Sequence, residues 1–306
     1  MRHQTLFLYV DAVARAGSIR GAAEALSITQ SALNRRILAF EEELGAPIFE
    51  RLPRGVRLST AGELLIHHIR RQMSDMARVQ SQIADLSGVR RGRVSVACSQ
   101  ALVPFFLPER IAAYRAAHPG VTFNVLVRDR AAAEEALMNY TADVAMVFEP
   151  VRMGDFATLA TARQPVFAMM RPGHPLAGRP RLRLVDCLEF PLALPSAPYG
   201  VRALLERAAA RLGVRLDPAV EADSFEFLRQ FVARRGAGGG AGDDTIAFQI
   251  PIGLPRAEAP TADLATAEID PRDVPPGRIH LAQLRGRVLP IAAARFTDAI
   301  VRTFAD

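Results

Sequence analysis

Residues 17–62 read GSIRGAAEALSITQSALNRRILAFEEELGAPIFERLPRGVRLSTAG. This stretch predicts two helices, Ile19 to Leu26 and Gln30 to Leu44, and then two short strands joined by the turn at residues 52–55. Ser18 and Thr29 precede the helices, where a side-chain hydroxyl caps free backbone N–H groups. The second helix has one inward apolar stripe, formed by Leu33, Ile37, Phe40 and Leu44. The stretch therefore predicts two helices at a tight turn, with a β-hairpin directly after them.

Two further helices are predicted on either side of this stretch. One precedes it at Gln4 to Arg15, and a long one, capped by Ser59, follows it to about residue 87. The long helix has a near-heptad apolar pattern, which predicts a dimerising coiled coil. The alternative is that the same residues pack the helix onto its own domain. The pattern consists of Ile69, Met73, Met76, Ile83 and Leu86, interrupted by Gln80.

Composition suits a chain of two packed domains whose partner is a nucleic acid. The 306 residues are 50% hydrophobic and 23% charged, with a net charge of +6. Every basic residue is arginine, and residues 1–92 hold 13 arginines against 9 acidic residues, an excess of 4. A cation excess at the N-terminal end favours DNA as the partner of that part of the chain.

Several protein classes are not expected. No apolar run is long enough to span a membrane, and the short apolar stretch after Met1 ends at Asp11, so we expect no secretion signal. The two cysteines, Cys98 and Cys187, fit a reducing cytoplasm and form no metal site. We expect a cytoplasmic protein without cofactor or metal.

From Arg93 onward, predicted strands and helices alternate, starting with the strand at residues 94–97 and the helix Leu107 to Ala117. This alternation predicts a mostly parallel α/β sheet with crossover helices. A second α/β set begins near Pro165, and a last strand and helix, Ile279 to Leu284 and Pro290 to Phe304, end the chain. Two such units within one domain predict two lobes with a cleft between them.

Many positions of the sequence match the pattern of one protein family. In the N-terminal part they are Gly17-Ser18-Ile19, Ala22-Ala23-Glu24-Ala25-Leu26, Gln30-Ser31-Ala32-Leu33, Ile37, Glu41 to Leu44-Gly45, Phe49, Arg51, Val56, Leu58 and Ala61-Gly62. Further along the chain, His118-Pro119-Gly120 and Gly173-His174-Pro175-Leu176-Ala177 fit the same family. The sequence thus resembles the LysR-type bacterial transcriptional regulators over essentially its whole length. Departures are Asn34 where the family usually has Ser, Phe40 for Leu, and a glycine-rich run at 236–244.

The resemblance implies an α/β protein with an N-terminal all-α winged helix-turn-helix at 1–59 and a linker or dimerisation helix at 60–89. A two-lobed effector domain of periplasmic-binding-protein type would occupy 90–306, with lobe I at about 92–162 and 267–306 and lobe II at about 163–266. It also implies a homodimer or homotetramer that binds an interrupted inverted repeat of double-stranded DNA. A small-molecule effector would change the DNA contacts.

With the apolar stripe inward, Ser31, Arg35 and Leu38 point away from the core of the N-terminal domain. Gln and Asn can pair bidentately with adenine, and Arg with guanine. For each of these residues the alternative is a phosphate contact or a solvated side chain, and Arg54 is expected in or beside the minor groove. The predicted DNA-binding residues are Gln30, Ser31, Asn34, Arg35, Arg36, Arg51 and Arg54, of which Arg36 and Arg51 are assigned to phosphate or structural roles.

Ligands of two-lobed α/β folds bind at strand ends and helix N-termini, whose free N–H groups suit anions. Arg128 would favour a carboxylate ligand if it faces the cleft, and it would otherwise pair with a surface acid. Ordinary caps and turns are the alternative for each of these positions. The candidate effector residues are Ser99, Gln100, Arg128, Ser196, Tyr199 and Ser224.

Two rival functions are disfavoured by the sequence. An enzyme is not expected because the chain has no Gly-x-Ser-x-Gly, His-Glu-x-x-His or Cys-x-x-Cys motif. His67-His68 cannot act as a metal pair, since adjacent residues diverge on a helix. A solute-binding protein without DNA function does not explain the helix-turn-helix pattern.

Overall fold

A computed structural model describes residues 2–86, 91–152, 154–233, 244–254 and 264–305 of the chain. The protein divides into two compact units, Met1–Ile83 and Ala84–Asp306. Within the described ranges, no helix combines the length and apolarity needed to cross a membrane.

The first unit contains four helices and one hairpin among its described residues. Ser18 Oγ accepts from Gly21 N at 3.0 Å and Thr29 Oγ1 from Ala32 N at 3.3 Å, so the predicted caps of the second and third helices are confirmed. Ser59 Oγ caps the fourth helix through Gly62 N at 3.0 Å. The elements are α1 (Arg2–Ala16), α2 (Ile19–Ala25), α3 (Gln30–Leu44), β1 (Phe49–Leu52), β2 (Gly55–Leu58) and α4 (Thr60–Leu86).

The β1–β2 hairpin lies directly against the α1–α2 turn. Val56 N donates to Gly17 O at 2.8 Å. Gly55 has φ +108°, and a Cβ atom there would stand 2.3 Å from Gly17 O, so only glycine permits this approach. The hairpin is therefore held beside the helix-turn-helix as a wing.

The predicted inward stripe of α3 is correct at Leu33, Ile37 and Phe40 but wrong at Leu44, which is 42% exposed. Leu44 is the last residue of the helix, and a polar contact joins this end of α3 to the segment that starts β1. Glu41 Oε1 accepts from the backbone N–H groups of residues 48 and 49, at 2.6 and 3.0 Å. The last turn of α3 thus extends beyond the core.

The predicted seam along α4 is divided between two environments. Ile69 is fully buried and Met73 packs against the core of the first unit, so the self-packing alternative holds for these two residues. Met76 and Ile83 are 41% and 58% exposed. A dimerisation seam is therefore restricted to the second half of the helix.

The second unit contains two mixed sheets. The first has the strand order β4-β3-β5-β13-β6 and the second the order β10-β9-β11-β7-β12-β8. The elements are β3 (Gly92–Cys98), α5 (Phe106–Ala117), β4 (Val121–Val127), α6 (Arg130–Met138), β5 (Val144–Phe148), β6 (Phe156–Gln164), β7 (Phe167–Met170), β8 (Arg181–Leu182), α7 (Leu184–Cys187), β9 (Leu192–Pro195), α8 (Gly200–Leu212), β10 (Pro218–Ala222), α9 (Phe225–Ala233), β11 (Ile246–Gln249), β12 (Ala265–Ile269), β13 (Gly277–Leu284) and α10 (Ile291–Ala305).

The expectation of mostly parallel strands holds in both sheets, and each sheet has one strand that runs opposite to the others. In the first sheet β3 pairs parallel with β4 and β5, but β13 pairs antiparallel with both β5 and β6. In the second sheet β7 is antiparallel to β11 and β12. Each of these reversed strands, β7 and β13, is the first strand that the chain forms after it passes from one sheet to the other.

These two passages define the lobes. The chain leaves the first sheet after β6 at Gln164 and enters the second at Phe167. The chain returns to the first sheet between Ile269, at the end of β12, and Gly277, at the start of β13. The predicted start of the returning segment, at about 267, therefore lies within β12, a few residues too early. Four of the strands, β6, β8, β10 and β12, and the short helix α7 were not predicted from the sequence. Residues 236–243 of the glycine-rich run and the predicted boundary at 89–90 lie outside the described residues.

Candidate nucleic-acid interface and ligand cleft

The outer face of α3 carries exposed polar side chains at its N-terminal half. Gln30, Ser31 and Arg35 are exposed, as is the apolar Leu38. Ser31, Arg35 and Leu38 lie opposite the buried stripe, because the helical period separates the two faces, and Gln30 is exposed as the first residue of the helix. This face has the size and chemistry to enter a major groove.

Two predicted DNA-binding residues on α3 and the wing contact each other. Arg51 Nη2, on β1, donates to Asn34 Oδ1 at 3.1 Å. Asn34 is half-buried and Arg51 is exposed. The wing and the outer face of α3 are therefore joined through side chains.

Arg36 is held by α1. Its Nη1 donates to Tyr9 Oη at 3.0 Å, and its guanidinium lies 5.3 Å from the centre of the Tyr9 ring. This geometry favours the structural or phosphate role assigned to Arg36. Tyr9 was not among the predicted residues, because residues 27 positions apart along the chain give no sequence signal of contact.

Arg54 lies in the β1–β2 turn and is exposed. Among the described residues no side-chain partner holds it in place, whereas Arg57 on β2 pairs with Glu50 at 2.6 Å. Arg54 is therefore the cation at the tip of the wing.

In the second unit, the ends of β3 and β5 meet at Ser99. Its Oγ accepts from Phe148 N at 3.2 Å, and its backbone N–H donates to Met146 O at 3.0 Å. The Ser99 hydroxyl hydrogen stays available for a ligand, since this Oγ acts as an acceptor toward Phe148.

Gln100 connects the two lobes. Its Nε2 donates to Tyr199 Oη at 2.7 Å and to Asp223 O, and its Oε1 accepts from Phe225 N at 3.2 Å. Tyr199 Oη in turn donates to Asp223 O at 2.9 Å. Three of the predicted effector positions, Gln100, Tyr199 and the α9 N-terminus beside Ser224, are thus brought together.

The Tyr199 hydroxyl remains a hydrogen-bond donor at neutral pH. Burial raises the pKa of Tyr199 above its ordinary value, and the negative charge of Asp223 raises it further. Ser224 Oγ caps α9 by accepting from Phe227 N at 3.2 Å. Ser196 fixes the start of the β9–α8 connection against the end of β10, since its N–H donates to Ala222 O at 2.9 Å.

Arg128 does not join this cluster through any contact of the described residues. Its side chain is exposed and donates to the neighbouring Val127 O at 2.9 Å. A cation that does cross between the lobes is Arg130, whose Nε donates to Pro198 O at 2.9 Å and whose Nη1 donates to Glu149 O at 3.0 Å. Arg130 was missed, although it opens α6 shortly after β4 ends at Val127.

Glu149 is a second functional candidate that the sequence reading missed. It has φ +52°, which is rare for a non-glycine residue, and directly follows β5. Its carboxylate accepts from Arg278 N and from Arg207 Nη2 on α8, both at 3.0 Å. Its place at a strand end was the available signal.

The two cysteines are buried and free. Burial raises the pKa of both thiols to about 12. Both sulfurs are therefore protonated thiols at neutral pH.

A separate surface groove of about 380 Å³ lies at the far end of α8 from Tyr199. Its lining is charged and small side chains around the α8–β10 connection: Glu206, Ala210, Val214, Arg215, Leu216 and Asp217. It has no contact with the Gln100 cluster and is not the cleft between the lobes.

Comparison with known proteins agrees with this geometry. Residues 5–63 match the model of the bacterial regulatory helix-turn-helix protein, lysR family, and residues 87–305 match that of the LysR substrate binding domain. The chain belongs to the LysR family. It is therefore a DNA-binding transcriptional regulator with an effector-binding domain, and its partners are DNA and a small molecule.

Individual relatives cover most of this LysR-family chain. The SDS degradation transcriptional activation protein of Pseudomonas sp. is 30% identical over 249 residues, which are 79% of each chain. Full-length CbnR, solved with its target DNA, has a TM-score of 0.56 at 20% identity and covers 99% of both chains. The effector binding domain of QuiR, solved with shikimate, has a TM-score of 0.58 at 16% identity, over 70% of this chain and 98% of that one.

Proposed function

We propose that this regulator reads an interrupted inverted repeat as a cytoplasmic homodimer or higher homo-oligomer, with α3 in the major groove and Arg54 at the minor groove. The observation that carries the proposal is the exposed face of Gln30, Ser31 and Arg35 beside a wing that ends in an arginine. CbnR, which shares the fold, was solved with its target DNA. A symmetric dimer presents two such faces, so the half-sites lie about one helical turn or a multiple of it apart.

The effector side of the proposal rests on the Gln100 cluster. Donor groups lie in one region between the lobes: the Tyr199 hydroxyl donates to Asp223 O, the Phe225 N–H to Gln100 Oε1, and the Arg130 guanidinium to Pro198 O and Glu149 O. The Ser99 hydroxyl accepts from Phe148 N and has its own hydrogen to donate. Such a set of donors suits a small anion. QuiR, which shares the fold, holds shikimate in its effector binding domain. Arg128 takes part if the bound ligand draws it inward.

Arg35→Ala tests the DNA-reading role. Removing a bidentate guanine contact should cost about 1–3 kcal/mol at a selected site and little on random DNA. The measurement is a titration of the full chain against both DNAs at one salt concentration. Equal losses on both would make Arg35 a phosphate contact and contradict direct readout.

Arg20→Ala supplies the matched control. Arg20 is an exposed arginine on α2 that pairs with Glu24 at 3.0 Å. Its loss should leave the ratio of specific to random affinity unchanged. If Arg20→Ala and Arg35→Ala reduced that ratio equally, net charge rather than α3 would explain the effect.

A further inference from the structure

Among the predicted DNA-binding residues, the Arg51–Asn34 contact restricts what Asn34 can offer to a base. The guanidinium of Arg51 has only donors, so the asparagine atom that faces it at 3.1 Å must be the carbonyl oxygen Oδ1. The chemistry of the pair, rather than an assigned amide orientation, fixes this arrangement. Asn34 keeps Nδ2, with two hydrogens, for any other partner.

This arrangement opposes the usual adenine contact of asparagine. Bidentate pairing with adenine needs Oδ1 to accept from adenine N6 while Nδ2 donates to N7. Arg51 engages one lone pair of Oδ1 and places its positive charge beside the other, so the N6 hydrogens of adenine would meet the N–H groups of the guanidinium as they approach this oxygen. The groups of the pair that point away from this bond are donors, from Asn34 Nδ2 and the other guanidinium N–H groups of Arg51.

We propose that Asn34 and Arg51 act as one specificity-determining unit that selects guanine at one position of each half-site. In the major groove guanine presents two acceptors, N7 and O6, whereas adenine and cytosine each present a donor that a donor-only surface cannot satisfy. The inference rests on the proposed entry of α3 into the major groove.

Contacts of the surrounding residues hold the Asn34–Arg51 pair in this arrangement. Arg36, two positions after Asn34, is turned to Tyr9 on α1. Arg51 is fixed by the β1–β2 ladder, where it pairs with Val56. The wing therefore holds the guanidinium beside α3, and the carbonyl of Asn34 cannot rotate outward without losing its partner.

Selection of binding sites from random double-stranded DNA by the full chain, followed by titration of the four bases at each half-site position, tests the proposal. The parent protein should prefer guanine over adenine by about fivefold or more at one position, as expected for a good two-donor contact. Asn34→Ala should lose that preference. Arg51→Met should shift it to adenine, because the freed Oδ1 can then accept from N6.

Asn34→Asp gives an independent reversal. The carboxylate would keep one oxygen on Arg51 and present the other as an acceptor, so preference should move from guanine to cytosine, whose N4 donates. Arg54→Met, which removes a wing cation without touching Asn34, should weaken binding to all four bases equally at that position. Each comparison is made within one variant, so general losses of affinity cancel.

The outcomes distinguish a failure of the Asn34–Arg51 inference from a failure of the proposed DNA-reading function. If Asn34→Ala changed no base preference anywhere, or if Arg51→Met kept the guanine preference, the reading unit would be refuted while readout by α3 could stand. If the parent protein selected no sequence at all, the proposed DNA-reading function itself would fail.

Discussion

At the scale of single residues, His174 links the stability of the second unit to pH. Its side chain is buried, Nδ1 accepts from Leu176 N at 3.0 Å, and Nε2 lies 3.1 Å from Asp244 O. Because Nδ1 is an acceptor, Nε2 carries the single proton and the ring is neutral. Burial lowers the pKa of His174 below its ordinary 6.5.

The sign of the pH effect follows from that lowered pKa. In the unfolded state His174 takes up a proton near pH 6.5, whereas in the folded state it does so only at a lower pH. The contribution of His174 to the free energy of unfolding is therefore complete above pH 6.5 and is lost as the pH falls. His174→Gln should cost roughly 1–2 kcal/mol at pH 7.5 and less at pH 5, measured by urea unfolding of the full chain. His118→Gln, at a half-buried histidine of the same unit, is the control. A His174→Gln deficit that grew toward pH 5 would contradict the assigned tautomer.

At the scale of elements, the two halves of α4 have different tasks. The first half joins α1, since the buried carboxylate of Asp11 accepts from Arg70 Nε on α4 at 2.7 Å and from Arg15 Nε at 2.6 Å. A buried acid between two arginines fixes the position of α4 on the helix-turn-helix, because losing either partner leaves charge unpaired. In the second half, Met76 and Ile83 continue the face of the buried Ile69, but both are exposed, as is Val79.

We expect the exposed half of α4 to form the dimer contact. Changing Met76 and Ile83 together to Asp should give monomers by light scattering and abolish binding to an inverted repeat, since four buried charges would oppose one another across a two-fold axis. Ala77→Asp with Ser81→Asp, on another face of α4, adds the same charge and should leave the dimer intact. A dimer of full stability in the first variant would place the interface elsewhere.

At the scale of the whole second unit, Gln100 joins the two lobes through hydrogen bonds to Tyr199 and to the Phe225 N–H. A ligand changes the lobe arrangement only if it binds one arrangement more tightly. If the effector binds at this cluster as proposed, it has to replace these bonds, and we then expect Gln100 to compete with it.

Gln100→Ala should expose this competition without any effector present. The Phe225 N–H loses its acceptor, and a hydrogen bond of about 1 kcal/mol corresponds to about fivefold faster hydrogen exchange there. The Leu228 N–H, bonded within the first turn of α9 to Ser224 O at 3.1 Å, should exchange at the parent rate. Unchanged exchange at Phe225 would show that Gln100 does not bridge the lobes in solution.

The features that could be predicted from the sequence are local. They are the bounds of α3, the caps at Ser18, Thr29 and Ser59, and the helices α5 and α10, which all depend on neighbours within a few positions, and hydrophobic period and capping chemistry report those directly. The positions Gln100, Tyr199 and Ser224 were also predictable, because strand ends and helix starts are visible in the sequence. Tertiary structure alone decided which of these positions meet.

Gln100 contacts residues 99 to 125 positions away, and Arg51 reaches Asn34 across 17. The central antiparallel β13, the burial of Ile69 and the exposure of Leu44 were likewise set by distant segments. Periodicity gives the side of an element that faces inward, but it carries no information about which remote segment covers that side. Packing of distant segments settles that, because each apolar face is buried by whatever surface the completed fold brings against it.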